Sequence, residues 1–306
     1  MKKAVVTGGA GFIGSHIADR LTGQGYQVVI IDDLSTGNKE NIAALLKQNN
    51  IEFIEGSIVD LSLLNKLFRG VDYVFHLAAI PSVPRSIKNP QASHEVNITG
   101  TLNVLLAARD TGVKKVIYAS SCAVYGDTPT LPIKEEMLPK PQSPYAVTKL
   151  AWDYYCQVFH QVYGLPTVCL RYFNIYGPRQ DPNSQYAAVI PRFIRRVIDD
   201  KPPIIFGDGE QTRDFVFVTD VVLANILAAE SDATGVLNVG QGQSITINEL
   251  AKLIIHIMNK DLGIIYKEAR VGDIRHSLAE ISKARLLGYQ PQYDLEQGLR
   301  ESVGNL

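Results

Sequence analysis

Thr7-Gly8-Gly9-Ala10-Gly11-Phe12-Ile13-Gly14 follows a short β-branched run, Ala4–Thr7, and leads into a helical pattern at His16–Gly23. Glycines 8, 11 and 14 have separate tasks. Gly8 permits a tight turn, Gly11 lets backbone approach a pyrophosphate, and Gly14 lets the helix pack on the strand. The helix would then aim free N–H groups and a positive dipole end at phosphate. A glycine-rich turn alone is a weak signal. Here a second apolar run, Gln27–Ile31, ends at Asp32, about 20 residues downstream as a dinucleotide fingerprint requires. A carboxylate there accepts hydrogen bonds from a ribose diol and repels a 2′-phosphate. Asp33 follows with no arginine beside it, which favours NAD over NADP.

Working outward, Glu52–Glu55, Tyr73–Leu77 and Lys115–Ala119 read as further strands. Nearly continuous apolar runs suggest strands buried on both faces. Helical patterns such as His94–Thr111 separate them, and Tyr145–Tyr163 with Thr167–Tyr172 adds another unit. The alternation predicts an α/β fold: right-handed βαβ units in a Rossmann-type, doubly wound parallel sheet. After Tyr176 the character changes, with Gly, Pro, Asn and Gln crowding Gly177–Tyr186. A helix at Ala188–Ile198 and strands at Ile204–Phe206, Asp214–Val218 and Ile264–Lys267 are expected. Val221–Ala229 and Val236–Val239 are expected to return to the main sheet. Residues 1–176 would form the nucleotide domain, rejoined by about 214–242, and 177–306 mainly a smaller α/β substrate lobe.

The bulk composition excludes some classes. Thirty basic and 31 acidic residues give a net charge of −1, so no nucleic acid or membrane surface is indicated as partner. Arg192, Arg195 and Arg196 read as one face of a helix. No apolar run approaches the ~20 residues of a membrane span, and Gly8–Gly11 interrupts the early apolar stretch, so no leader is expected. Cys122, Cys156 and Cys169 form neither a disulfide framework nor a metal spacing. The expectation is a cytoplasmic protein with no metal.

Tyr145 and Lys149 lie four residues apart at the start of a predicted helix and share a face. Pro144 precedes them and Ser143 is a candidate cap. A tyrosine with a pKa of about 10 must fall by ~3 units, or ~4 kcal/mol, to act as a base near neutrality. An ammonium ~5 Å away supplies roughly 3 kcal/mol at an effective dielectric of 20, and a cationic nicotinamide a similar amount. Ser121 ends the fifth strand, at the mouth where ligands of such sheets bind. Ser121, Tyr145 and Lys149 are the candidate catalytic residues.

With Ser120-Ser121-Cys122-Ala123-Val124-Tyr125-Gly126, the glycine turn and the Tyr–Lys pair, the chain resembles the extended short-chain dehydrogenase/reductase family of nucleotide-sugar enzymes. More narrowly it is similar to the UDP-N-acetylglucosamine/UDP-glucose 4-epimerases. The segments Ser82–Ile87, Arg171-Tyr172-Phe173-Asn174, Gln180–Asn183, Tyr186–Pro191 and Gly272–Leu278 carry that likeness. The resemblance implies that Tyr145 takes the 4-hydroxyl proton while the C4 hydride passes to NAD and returns to the other face of a 4-keto sugar. It implies cofactor contacts from Phe12, Ile13, Asp33, Ser35, Thr36, Gly37, Ile58, Leu77, Ala78 and Ala79, with Asn97, Lys149 and Tyr172 bordering the nicotinamide and ribose. Ser57 stands where the family often has Asp. The resemblance further implies substrate contacts from Ser82, Cys122, Ala123, Ala188 and Val189. Asn174 would touch the diphosphate, Arg213 and Arg270 would clamp it, and Ile204–Phe206 would line the uracil. Ser277 matches the position that gates substrate size, where a small residue admits an acetamido group. Tolerance of both plain and N-acetylated UDP-hexoses is therefore expected, as is a homodimer through His94–Thr111 and Tyr145–Tyr163.

Rival readings remain open. Dehydratases and decarboxylases of the family place acidic residues where this chain has Cys122 and Ala123, which cannot shuttle the needed protons. A UDP-glucuronate 4-epimerase would need a cation for the carboxylate, with Arg85 or Arg192 available. A non-catalytic NAD-binding sensor or scaffold would not need to keep Tyr145 and Lys149.

Overall fold

Seven parallel strands form the central sheet of the computed structural model, which describes residues 1–181, 188–269 and 274–304. The first part of the chain runs β1 (Lys3–Thr7), α1 (Phe12–Gly23), β2 (Gln27–Asp32), β3 (Ile51–Glu55), α2 (Leu61–Leu67), β4 (Tyr73–His76), α3 (Val83–Lys88), α4 (Pro90–His94), α5 (Thr101–Thr111), β5 (Lys115–Ser121), α6 (Pro144–Tyr163) and β6 (Thr167–Tyr172). The second runs β7 (Asn174–Tyr176), α7 (Val189–Ile198), β8 (Ile204–Phe206), β9 (Thr212–Arg213), β10 (Phe215–Phe217), α8 (Val218–Glu230), β11 (Gly235–Val239), β12 (Ile245–Thr246), α9 (Ile247–Ile257), β13 (Ile265–Lys267), α10 (Ser282–Arg285) and α11 (Leu295–Gly304).

The sheet order is β11-β6-β5-β4-β1-β2-β3. Successive side chains of a strand point to opposite faces, so Val6 and Val28 join Ile17, Leu21 and Val221 on one side. Val5 and Val29 join Val104, Trp152 and Phe159 on the other. A third apolar cluster, including Phe193, Phe217, Leu250 and Leu299, holds the C-terminal lobe together. There β7–β10 and β8–β13 pair in parallel and β9–β12 antiparallel.

Three details differ from the sequence reading. β3 is not buried on both faces: it is the sheet edge, and Glu52 and Glu55 are exposed. His94–Thr111 is not one α-helix, because a π-helical turn at Glu95–Gly100 separates α4 from α5. Gly100 lies where a Cβ would be 2.7 Å from the Ile58 side chain, so the backbone passes close to Ile58. Val221–Ala229 rejoins the sheet only as part of α8, packed beside α1, whereas Val236–Val239 adds an edge strand on β6. Among the described residues no helix is long and apolar enough to cross a membrane.

α6 starts and ends as its sequence dictates. Ser143 Oγ accepts from Ala146 N at 3.1 Å, Pro144 occupies the first turn, and Gly164 closes the helix at φ +68°.

Candidate active site

Strand order reverses between β4 and β1, the switch point where ligands of doubly wound sheets bind. The glycine turn lies there. Gly8 has φ +69°, and a Cβ on it would sit 2.7 Å from Ala78 N; a Cβ on Gly14 would strike the Gly8 carbonyl. Gly11 caps α1 with no side chain over the first turn. The floor is thus bare backbone leading to a helix N-terminus, a fit to a pyrophosphate. Phe12 and Ile13 open α1, both half-buried.

Asp32 ends β2 with its carboxylate accepting from Ala10 N (3.0 Å) and Leu34 N (2.8 Å). Burial pushes its pKa up, and those two N–H groups pull it back. Gly37 passes so close that a Cβ would lie 2.7 Å from Asp32 Oδ1. Asp33, Ser35 and Thr36 are exposed, and Asp33 Oδ1 accepts from Ser35 N at 2.9 Å. Ser57 Oγ accepts from Val59 N at 3.3 Å, Ile58 is buried, and Leu77, Ala78 and Ala79 are half-buried beside the turn. Asn97 is buried; its amide bonds both Ile80 N (2.8 Å) and Ile80 O (3.2 Å) and donates to Thr148 Oγ1 (3.1 Å). It therefore ties the exit of β4 to α6. Tyr172 is buried with its hydroxyl donating to Asn225 Oδ1 at 2.9 Å.

Ser121, Tyr145 and Lys149 come together at the C-terminal end of β5. The Ser121 hydroxyl faces the Tyr145 phenol and lowers its pKa, yet burial dominates and pushes it up to about 12. Tyr145 as a whole is half-buried. Lys149 Nζ donates to Ala119 O at 2.6 Å and lies 5.8 Å from the Tyr145 ring centre and 4.8 Å from that of Tyr118. Burial pulls the ammonium down to about 8.

Burial thus opposes the Tyr145 phenolate just as it opposes the Lys149 ammonium. It likewise pushes the thiol of Cys122, beside Ser121, up to about 12.

A cavity of about 380 Å³ in the C-terminal lobe brings together Asn174, Ala188, Val189, Ile204, Phe206 and Arg213. Asn174 Nδ2 donates to Asp214 O at 3.0 Å, and Arg213 Nη1 to Thr212 O at 2.8 Å. Ala123 is half-buried next to Ser121, and Ser82 caps α3 by accepting from Arg85 N. Ser277 is 5% exposed and its hydroxyl has no hydrogen-bond partner among the described residues. Arg85 is exposed, whereas Arg192 stands 5.6 Å over the Phe206 ring. Arg270, together with Pro182–Ala187 and Gly272–Asp273 of the quoted segments, lies outside the described residues.

The sequence reading missed Gln211, which lines the cavity with Nε2 donating to Phe206 O at 2.8 Å. It also missed two buried polar assemblies beside the catalytic residues. His76 bridges Thr7 and Thr101, and Arg171 pairs with Asp153. Thr7 and Arg171 each fall in a quoted segment, but their partners lie far away in the chain and only the fold joins them.

Residues 4–240 match the model of the NAD dependent epimerase/dehydratase family. Among solved structures, the chain is similar to the UDP-N-acetylglucosamine 4-epimerase from Methanobrevibacter ruminantium M1 in complex with UDP-N-acetylmuramic acid. Identity is 46%, the TM-score is 0.97, and the match covers 99% of this chain and 97% of that one. It is also similar to the UDP-glucose 4-epimerase of Thermotoga maritima with UDP-glucose, at 41% identity, TM-score 0.94, and 99% and 98% coverage. The UDP-glucose 4-epimerase of Mycolicibacterium smegmatis is 39% identical over 305 residues, 98% of this chain and 97% of the relative.

Proposed function

The chain belongs to the NAD-dependent epimerase/dehydratase family, and from that premise we propose that it interconverts UDP-hexoses differing at C4, with or without an N-acetyl group. The observation that carries this reading is the placement of Ser121, Tyr145 and Lys149 at the mouth of the sheet, beside a turn built for a dinucleotide. NAD, when bound, supplies a hydride acceptor at C4 and later the donor.

The chain's own residues would do the rest. Tyr145 takes the 4-hydroxyl proton and returns it, Ser121 holds that oxygen, and Lys149 contributes positive charge nearby. Cys122 and Ala123 offer no carboxyl for elimination at C5 and C6, which supports epimerisation over dehydration. Gly8, Gly11, Gly14 and Asp32 would hold the dinucleotide, with Phe12, Ile13, Asp33, Ser35, Thr36, Gly37, Ser57, Ile58, Leu77, Ala78, Ala79, Asn97 and Tyr172 around it. The cavity residues Asn174, Ala188, Val189, Ile204, Phe206 and Arg213 would take the UDP, joined by Arg270. Ser82, Cys122, Ala123 and Ser277 would surround the sugar. The division into a nucleotide domain (1–176, with about 214–242) and a substrate lobe (mainly 177–306) belongs to the same reading.

A homodimer in the cytoplasm completes it. Val147, Tyr154, Val158 and Val162 form an exposed apolar stripe along α6. Such a stripe favours association. α5 exposes no large apolar side chain, which puts the weight of the contact on α6.

The test is incubation of the protein with UDP-glucose, UDP-N-acetylglucosamine and UDP-glucuronate, followed by NMR. The 4-epimers of the first two are expected. Turnover of the glucuronate alone, or of none, rejects the proposal.

A further inference from the structure

Three buried charged residues meet beside the chemistry. Lys149 and Asp153 stand one helical turn apart on α6, and Arg171 reaches Asp153 from β6 with Nε 2.8 Å from Oδ2. Each of the three is 4% exposed. Arg171 is held in turn: Nη1 donates to Glu135 O at 3.2 Å, and its guanidinium lies 4.7 Å over the Tyr125 ring. The other oxygen of Asp153, near Ser120 Oγ, is outside hydrogen-bonding geometry.

A buried ion pair is weak evidence for stability, because desolvation offsets its attraction. This one stands next to a group that needs charge. Lys149 is packed by Tyr118 of β5, Tyr145 and Asp153 of α6, Cys169 of β6 and His76 of β4. Of these, His76 is kept neutral by burial, with Lys149 itself opposing its protonation. Burial works against the Lys149 ammonium, and Asp153 is the largest influence raising its pKa, followed by Cys169. An ammonium sealed without a carboxylate tends to shed its proton.

We propose that Asp153 and Arg171 are positioning residues for Lys149: Ala119 O holds the ammonium, Asp153 supplies the buried negative charge one turn along α6 that offsets it, and Arg171 fixes that carboxylate from β6. The consequence for Tyr145 rests on the 4-epimerase reading; the effect on Lys149 does not. Removing Asp153 strands Arg171 and leaves both buried cations without its negative charge. Removing Arg171 leaves the carboxylate to Lys149 alone. Losing Asp153 therefore works against the Lys149 ammonium while losing Arg171 does not, a split that a merely structural role would not give.

The experiment follows the Lys149 titration by NMR of isotope-labelled lysine in the NAD-loaded and the stripped protein, with Lys149→Met assigning the signal. Asp153→Asn is expected to lower the midpoint by about one pH unit or more. Arg171→Met is expected to raise it or leave it in place, and the double variant to fall between Asp153→Asn and wild type. An unchanged midpoint in Asp153→Asn, or a fall in Arg171→Met, overturns the proposal. If Asp153→Asn does not fold, the Arg171→Met and double-variant midpoints carry the test: a fall in the first, or a double-variant midpoint no lower than wild type, overturns it. No substrate is needed, so a failed sugar assay and a failed titration are separate results.

Discussion

Thr7 Oγ1 and His76 Nδ1 are 2.6 Å apart, joining the ends of β1 and β4 at the switch point. The bond has a direction. Thr101 Oγ1 donates to Asn97 O, so it accepts from His76 Nε2, 2.7 Å away. Nδ1 is then the acceptor, and Thr7, which receives Ala78 N, donates to it. This neutral imidazole orders the backbone of Ala78 and Asn97. Burial, aided by Lys149, lowers its pKa to about 3, against 6.5 for an ordinary histidine. Below 6.5 the unfolded chain takes a proton the folded one refuses, so stability falls with pH through that window. His76→Leu should cost about 1–3 kcal/mol near neutrality, because the Thr7 hydroxyl loses its acceptor and Thr101 Oγ1 loses a donor. The gap to wild type should narrow on acidification, by up to about 1.4 kcal/mol per pH unit. Urea melts at about pH 7.5 and about pH 5 check this; a gap that widens in acid would rule it out.

Tyr145→Phe removes only the phenolic oxygen, from a ring whose packing it keeps. Turnover of the UDP-hexose should fall roughly 10²–10⁴-fold, while bound NAD and the melting temperature stay near wild type. Full activity in the variant would take Tyr145 out of the chemistry.

Val158→Asp places a charge in the middle of the exposed stripe on α6. Light scattering should show wild type as a dimer and the variant as a monomer. A wild-type monomer at micromolar concentration would mean the stripe serves something else.

Ser277→Tyr fills space at a buried position. The kcat/KM for the N-acetylated sugar should drop at least about tenfold more than for the plain one, equivalent to about 1.4 kcal/mol. Ser277→Ala should be nearly neutral on both, since the hydroxyl has no partner among the described residues. Equal losses in Ser277→Tyr would place the size gate elsewhere.

Much of this was legible in the sequence because it is local. The glycine turn, Asp32 at the end of β2, and Ser143-Pro144 opening α6 each write their structure into a few adjacent residues. The edge position of β3 was not legible, since Ile51, Phe53 and Ile54 look apolar enough for an interior strand. Nor was the π-helical turn, which interrupts a smooth apolar pattern between Glu95 and Gly100. The Tyr145 environment needed coordinates for another reason. Its pKa depends on how much packed matter surrounds the phenol, and spacing along a helix says nothing of that. Thr7–His76 and Asp153–Arg171 are contacts across 69 and 18 residues, and nothing short of the fold reveals them.

Phe12 belongs to the glycine turn by sequence, yet it packs into the core of the C-terminal lobe, and four residues on His16 Nε2 meets Pro178 O at 3.0 Å. The two halves of the molecule are therefore not interchangeable parts. Grafting this lobe onto another dinucleotide scaffold would have to carry Phe12 and His16 along, or the transplant would arrive with an unfilled socket and a loose strap.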